Sequence, residues 1–228
     1  MSPAEQSPEA RFRTAVEQKL AVGERLSADD GVGLLRSDDL SWLGGLAHRR
    51  RGAAAGDRAS FLIGTAAAAE GCDLVTVTGD LATLRYGAGD DPAGTVAALV
   101  ALRDRVDAGD PVTSLLLVRR TTDDDQPSPS PAESMKLAAV CRLLLDNLAD
   151  IGCDLASHSA PAAALLLQFG VTDLLVPAGE LDADDVAVLI WDTGFTPVHR
   201  DADFEPIRDY GPAQPQAERR ADPQSVFS

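Results

Sequence analysis

The chain has 228 residues, 45% of them hydrophobic, with 36 acidic residues against 20 basic ones and a formal net charge of −16. That length carries one large domain or two small ones, and with only 4% aromatics the core must rest on Leu, Val and Ala. The acidity reads as a solvated surface and argues against nucleic acid or anionic membrane as a partner, because both repel such a chain.

Residues 1–7 are rich in Ser and Pro and read as a loose N-terminus. From Glu9 to Val22 apolar residues recur at helical spacing (Phe12, Ala15, Val16, Leu20), with Gly23 as the stop. Ser27 opens a second helix as its N-cap, followed by Asp29 and Asp30 in the first turn, where negative charge meets the helix dipole. Ser37 repeats the device before Asp38 and Asp39, and Arg49, Arg50 and Arg51 close that third helix. Residues 8–52 are thus a helical N-terminal segment.

The period then changes. RASFLI (58–63), DLVTVT (73–78) and TSLLLV (113–118) read as strands, with a helix from Pro92 to Val106 between the second and third. The Pro-Ser-Pro-Ser-Pro loop (127–131) leads into a long helix, MKLAAVCRLLLDNLADI. A strand candidate GCDLAS, a helix PAAALLLQFG, the strand TDLLVP (172–177) and a helix from Leu181 to Asp192 follow. The segment 208–228 reads as a disordered tail, rich in Pro, Gln and charge beyond Gly211. Strand–helix alternation over 53–207 predicts an α/β fold with a mostly parallel sheet. About five strands are visible. A closed eight-fold barrel typically needs about 250 residues, so the expectation is an open sheet or an incomplete, TIM-barrel-like half-barrel behind a helical segment.

The first residues carry no signal-peptide pattern and no stretch is apolar enough to span a bilayer. With three unclustered cysteines (Cys72, Cys141, Cys153) the expectation is a cytoplasmic protein with reduced thiols. No Gly-x-Gly-x-x-Gly, Walker or Gly-x-Ser-x-Gly pattern is present.

Three stretches in order carry a resemblance: VGERLSADDGVGLLRSDDLSWLGGLAHRRRGAAAGDRASFL (22–62), LATLRYGAGDDPAGTVAALVALRDRVDAGDPVTSLLLV with PSPAESMKLAAVCRLLLDNLADI, and LLLQFGVTDL with DTGFTPVHRD. They are similar to the radical-SAM enzymes of futalosine-route menaquinone synthesis and their deazaflavin-cofactor relatives. The resemblance implies a barrel fold, a [4Fe–4S] cluster and S-adenosylmethionine. It also implies a Cys-x-x-x-Cys-x-x-Cys loop just beyond Phe61-Leu62-Ile63, where this chain has GTAAAAEGC. Cluster ligation needs converging thiolates, so the expectation is a degenerate relative without the cluster and without radical catalysis. The family's Gly-Ala-Asp-Asp-Leu stands here as Gly170-Val171-Thr172-Asp173-Leu174, which alters the substrate pocket as well. A half-barrel leaves a sheet edge and apolar surface that invite a homodimer or a menaquinone-pathway protein.

No catalytic, cofactor-binding or metal-binding residue follows from these patterns; three residues are pocket candidates. Thr172 and Asp173 begin a strand, and the carboxylate either binds a ribose or polar substrate or caps a loop. His158, in SHSAP, follows a strand and either faces a pocket as a general base or takes a surface or capping role. His199 reads as exposed beside Arg200 and Asp201, His48 as part of a positive helix end, and Asp146-Asn147 as capping, pairing or buried. The cysteines read as small buried hydrophobes unless the fold converges them on a metal. Three functions compete: a non-catalytic partner, regulator or small-molecule binder; an active futalosine-pathway enzyme using ordinary acid–base groups such as Asp173 and His158; and a decayed gene product.

Overall fold

The computed structural model describes residues 7–64, 74–120 and 128–213. Three helices come first: α1 (Pro8–Ala21), α2 (Ala28–Arg36) and α3 (Leu40–Ala55). Each begins where a side-chain oxygen satisfies amides that the first turn leaves unpaired. Ser7 Oγ accepts from the Ala10 amide at 3.1 Å, and Ser27 and Asp30 form a reciprocal capping box. The cap of α3 is Asp39, whose carboxylate accepts from the Trp42 amide at 2.9 Å, and not Ser37. Ser37 instead terminates α2 in an extended conformation, which leaves the carboxylate two residues on to meet the positive helix end.

The strands are β1 (Arg58–Ile63), β2 (Val75–Thr78), β3 (Leu81–Tyr86), β4 (Ser114–Arg119), β5 (Asp150–Asp154), β6 (Asp173–Val176), β7 (Thr196–Arg200) and β8 (Pro206–Asp209). Between them lie α4 (Pro92–Asp107), α5 (Pro131–Leu144), α6 (Ala160–Leu166) and α7 (Ala183–Asp192). They form one open sheet in the order β2-β3-β4-β5-β6-β1-β7-β8. The six inner strands run parallel, and the two outermost, β2 and β8, run antiparallel to their neighbours. The expected α/β class and the unclosed, half-barrel sheet are both present.

Three strands go beyond the five expected. β2 and β3 are a hairpin closed by Gly79 and Asp80, with Gly79 at φ 62°, where glycine avoids the Cβ clash. β7 and β8 extend the sheet on the far side of β1, so the sheet runs past residue 207. The long helix of the sequence reading stops at Leu144. Leu145 leaves helical geometry (φ −95°, ψ 68°), and the chain turns back so that Asp150 begins β5.

β1 sits between β6 and β7. The Ser60 amide donates to Thr172 O and the Gly64 amide to Val176 O, both at 2.9 Å. Side chains alternate across each strand, so one sheet face carries Phe61, Leu84, Leu115, Leu117, Ile151 and Leu174 into a core shared with the helices. The opposite, inner face carries a separate small cluster of Leu116, Val118 and Leu175, with Leu81 against it.

Two arginines are enclosed in the helix layer: Arg51 is 0% and Arg142 1% exposed. Both donate to main-chain carbonyls at the approach to β6, Arg51 Nε to Val171 O at 2.9 Å and Arg142 Nε to Gly170 O at 2.8 Å. Burial pulls both guanidinium groups down to about 10. Arg51 therefore does not belong to an exposed positive helix end with Arg49. Gly170 has φ 106°, and a Cβ there would lie 2.5 Å from Arg142 Cβ, so only glycine fits beside this clamp. The clamp fixes where β6 begins, and with it Thr172 and Asp173.

Candidate functional site: the inner face of the sheet

Strand register lays the inner face out in rows. The lowest row runs Leu81, Ser114, Asp150 across β3, β4 and β5. The next runs Leu116, Gly152, Asp173, Ser60, Val198 across β4, β5, β6, β1 and β7. Above it, Asp154, Leu175 and Leu62 are partners. Gly152, in the middle of the second row, has no side chain, and its absence hollows the surface. The result is a cavity of about 200 Å³, bounded by Ser114, Leu116, Asp150, Asp173, Arg200 and Phe204 among others. It spans the beginnings of β3 to β6 and the end of β7, where Arg200 and Phe204 close it.

Asp173 is 1% and Arg200 5% exposed, and they form a buried two-point ion pair. Arg200 Nε donates to Asp173 Oδ1 at 2.8 Å and Nη2 to Oδ2 at 2.5 Å, while Ser60 Oγ donates to Oδ1 at 2.6 Å. The Phe204 ring, on the turn between β7 and β8, covers the guanidinium at 3.8 Å. Phe204 has φ 63°, a conformation costly for a bulky residue, and the cation–π contact helps hold it there. Asp173 is fully engaged, so its charge is balanced.

Asp150 differs. Its one hydrogen bond comes from Thr172 Oγ1 at 3.4 Å, and it has no ion pair among the described residues. Burial, then the neighbouring Asp173 carboxylate, raises its pKa above the ordinary Asp value, against the pull of Arg142 and Arg200. Thr172 accepts from the Ile151 amide at 3.0 Å and so ties β6 to β5 without facing the cavity.

His158 lies elsewhere. It follows β5 at the opposite strand ends, on the helix side, 4% exposed. Its Nδ1 donates to Asp154 O at 2.8 Å, which makes Nε2 an acceptor for the Tyr86 hydroxyl at 2.7 Å. Tyr86 in turn pairs with Ser134 at 2.8 Å. Burial lowers the His158 pKa below the usual value, with Arg119 adding to the effect. The ring is a structural link between β3, β5 and α5, and the fold does not bring it to Asp173 and Thr172.

The remaining sequence candidates fall in place. His199 is not exposed beside Arg200: it is half-buried and stacks on Phe61 at 4.9 Å between ring centres. His48 is exposed. Asp146 pairs with Arg25 at 2.8 Å, and Asn147 donates to Arg103 O and to Asp107 Oδ1, both at 2.9 Å. Cys141 and Cys153 are buried free thiols. Burial raises Cys141 to about 12 and Cys153 well above its ordinary value, so both are neutral thiols and unlike cluster-ligating thiolates. Cys72 and the GTAAAAEG stretch from Thr65 on lie outside the described residues. Among the described residues no group of three or more His, Cys, Asp or Glu is placed to hold a metal, and no helix is long and apolar enough to cross a membrane.

No known family profile matches the chain. Over 53 residues it is 49% identical to aminodeoxyfutalosine synthase of Streptomyces coelicolor, a stretch that is 23% of this chain and 14% of that enzyme. In structure it is similar to the FeFe-hydrogenase maturase HydG from Carboxydothermus hydrogenoformans, with a TM-score of 0.62 over 86% of this chain and 81% of that one. The resemblance to radical-SAM enzymes holds. At 12% identity the second match is a likeness of fold alone. Barrel enzymes hold their ligands at the strand carboxyl ends, whereas this cavity takes most of its polar lining from the beginnings of β4, β5 and β6 and only part of it from the end of β7.

Proposed function

We propose that this chain is a cluster-free relative of the futalosine-route radical-SAM enzymes and works without radical chemistry, as a small-molecule binder or as a partner of another protein. The observation that carries the reading is the state of its thiols. Where the resemblance puts three cysteines after the first strand, the sequence has GTAAAAEGC. The two cysteines among the described residues are enclosed in the core and held neutral. Three converging thiolates are what such a cluster needs. The Asp173–Arg200 pair, with Thr172 behind it, shapes a cavity on the inner face, which supports the small-molecule role.

The test is to purify the protein anaerobically and measure iron, visible absorbance and S-adenosylmethionine cleavage. The reading expects a colourless protein with iron far below one atom per chain and no cleavage. A brown protein with cluster absorbance that cleaves S-adenosylmethionine would overturn it.

A further inference from the structure

The cavity on the inner face has a chemistry of its own. Ser114 and Asp150 are register partners on adjacent strands, with both side chains toward the hollow at Gly152. Ser114 is 5% exposed, yet its hydroxyl has no hydrogen-bond partner among the described residues. That hydroxyl opens onto the cavity and is free to donate to or accept from whatever enters it. Asp150 likewise lacks a counter-ion, and Asp80 stands at the rim, also unpaired among the described residues. Arg200 does not offset them, because Asp173 already holds it.

The cavity is therefore a negative, hydrogen-bond-accepting hollow with apolar walls. Two carboxylates without an ion pair and one hydroxyl are too few hard oxygens for a Ca²⁺ cage of about six to eight ligands. They suit a single ammonium head, and Leu116, Leu175 and Phe204 suit an attached hydrocarbon.

We propose that this cavity binds a small protonated alkylamine, its ammonium between the Asp150 carboxylate and the Ser114 hydroxyl and its chain against Leu116, Leu175 and Phe204. The proposal names the ligand class for the small-molecule role above. It shares Asp173 with the segment where the resemblance puts a substrate pocket, but it sets the ligand head on Asp150 and Ser114. Burial and Asp173 raise the Asp150 pKa, a shift that a bound cation would oppose.

The test is calorimetric titration of the full chain at neutral pH with n-butylammonium, 1-butanol and Ca²⁺ as probes. The expected result is saturable one-site binding of the amine, and neither 1-butanol nor Ca²⁺ binding as well. Asp150→Asn should weaken the amine at least about tenfold, the loss of one charge-assisted hydrogen bond. Because Asp150 is one of 36 acids, a diffuse attraction of cations to the acidic surface would barely change in that variant. Gly152→Ala keeps every charge but puts a methyl 3.3 Å from Leu175 Cδ1 on the cavity floor, and should also weaken binding. Equal binding of 1-butanol, tighter Ca²⁺, unchanged affinity in folded Asp150→Asn, or no saturable amine binding would each overturn the proposal. Iron and absorbance decide the cluster-free reading separately, so the two can fail independently.

Discussion

Arg200 grips Asp173 from 27 residues away along the chain, with two of its nitrogens on the two carboxylate oxygens. Both partners are almost wholly enclosed, so each charge depends on the other. Removing Arg200 alone, as Arg200→Ala, strands a buried carboxylate and should cost about 3–5 kcal/mol in urea unfolding. Replacing both, as Arg200→Met with Asp173→Leu, should recover most of that loss. A single variant within about 1 kcal/mol of wild type would show that the pair is not a buried unit.

Asp150 should favour the folded state more in acid than at neutral pH. Its folded pKa is raised by burial and by Asp173, so the folded state prefers the protonated form. The sign follows: its stabilisation is full below the unfolded value of about 3.9 and is lost as pH rises through the higher folded value. Arg142 and Arg200 moderate the shift without reversing it. Asp150→Asn should therefore raise the unfolding midpoint near neutral pH and bring no gain in strong acid. A variant less stable than wild type at neutral pH would contradict this.

His158 has the opposite sign. Burial lowers its folded pKa, so its contribution is present above the unfolded value of about 6.5 and is lost as pH falls through the folded value. Thermal melts should drop over mildly acidic pH, and His158→Gln should flatten that drop. Tyr86→Phe removes the hydroxyl that serves Nε2 and should cost about 1–3 kcal/mol at neutral pH. If Tyr86→Phe is neutral, the ring is not held as a donor–acceptor link.

The strands legible in the sequence were those with continuous apolar runs, such as Phe61-Leu62-Ile63 and Leu115-Leu116-Leu117. β3 was hidden because Thr83 and Arg85 break its apolar run, although the Gly79-Asp80 pair between two alternating segments was a hairpin signal. Asp150 was hidden by reading DNLADI as helix. Helical periodicity runs on past Leu144, and only the tertiary grip of Arg142 on Leu148 O and Ala149 O marks the turn. Arg200 drew no notice beside His199 because its carboxylate partner lies on another strand. Arg51 looked like Arg49 because one helix turn carries both, and only packing separates the buried guanidinium from the exposed one. Helix caps were the most legible feature, since Ser27 with Asp30 acts within four residues.

The position of β1 bears on how the chain acquires its shape. Ser60 meets Asp173 across a separation of 113 residues, and the strand's other edge waits for β7. β1 thus emerges long before either of its neighbours, at the entropic expense of closing a very long loop. Folding should be slow and late-committing, and a nascent chain arrested before β6 would hold an apolar strand with nothing on either side.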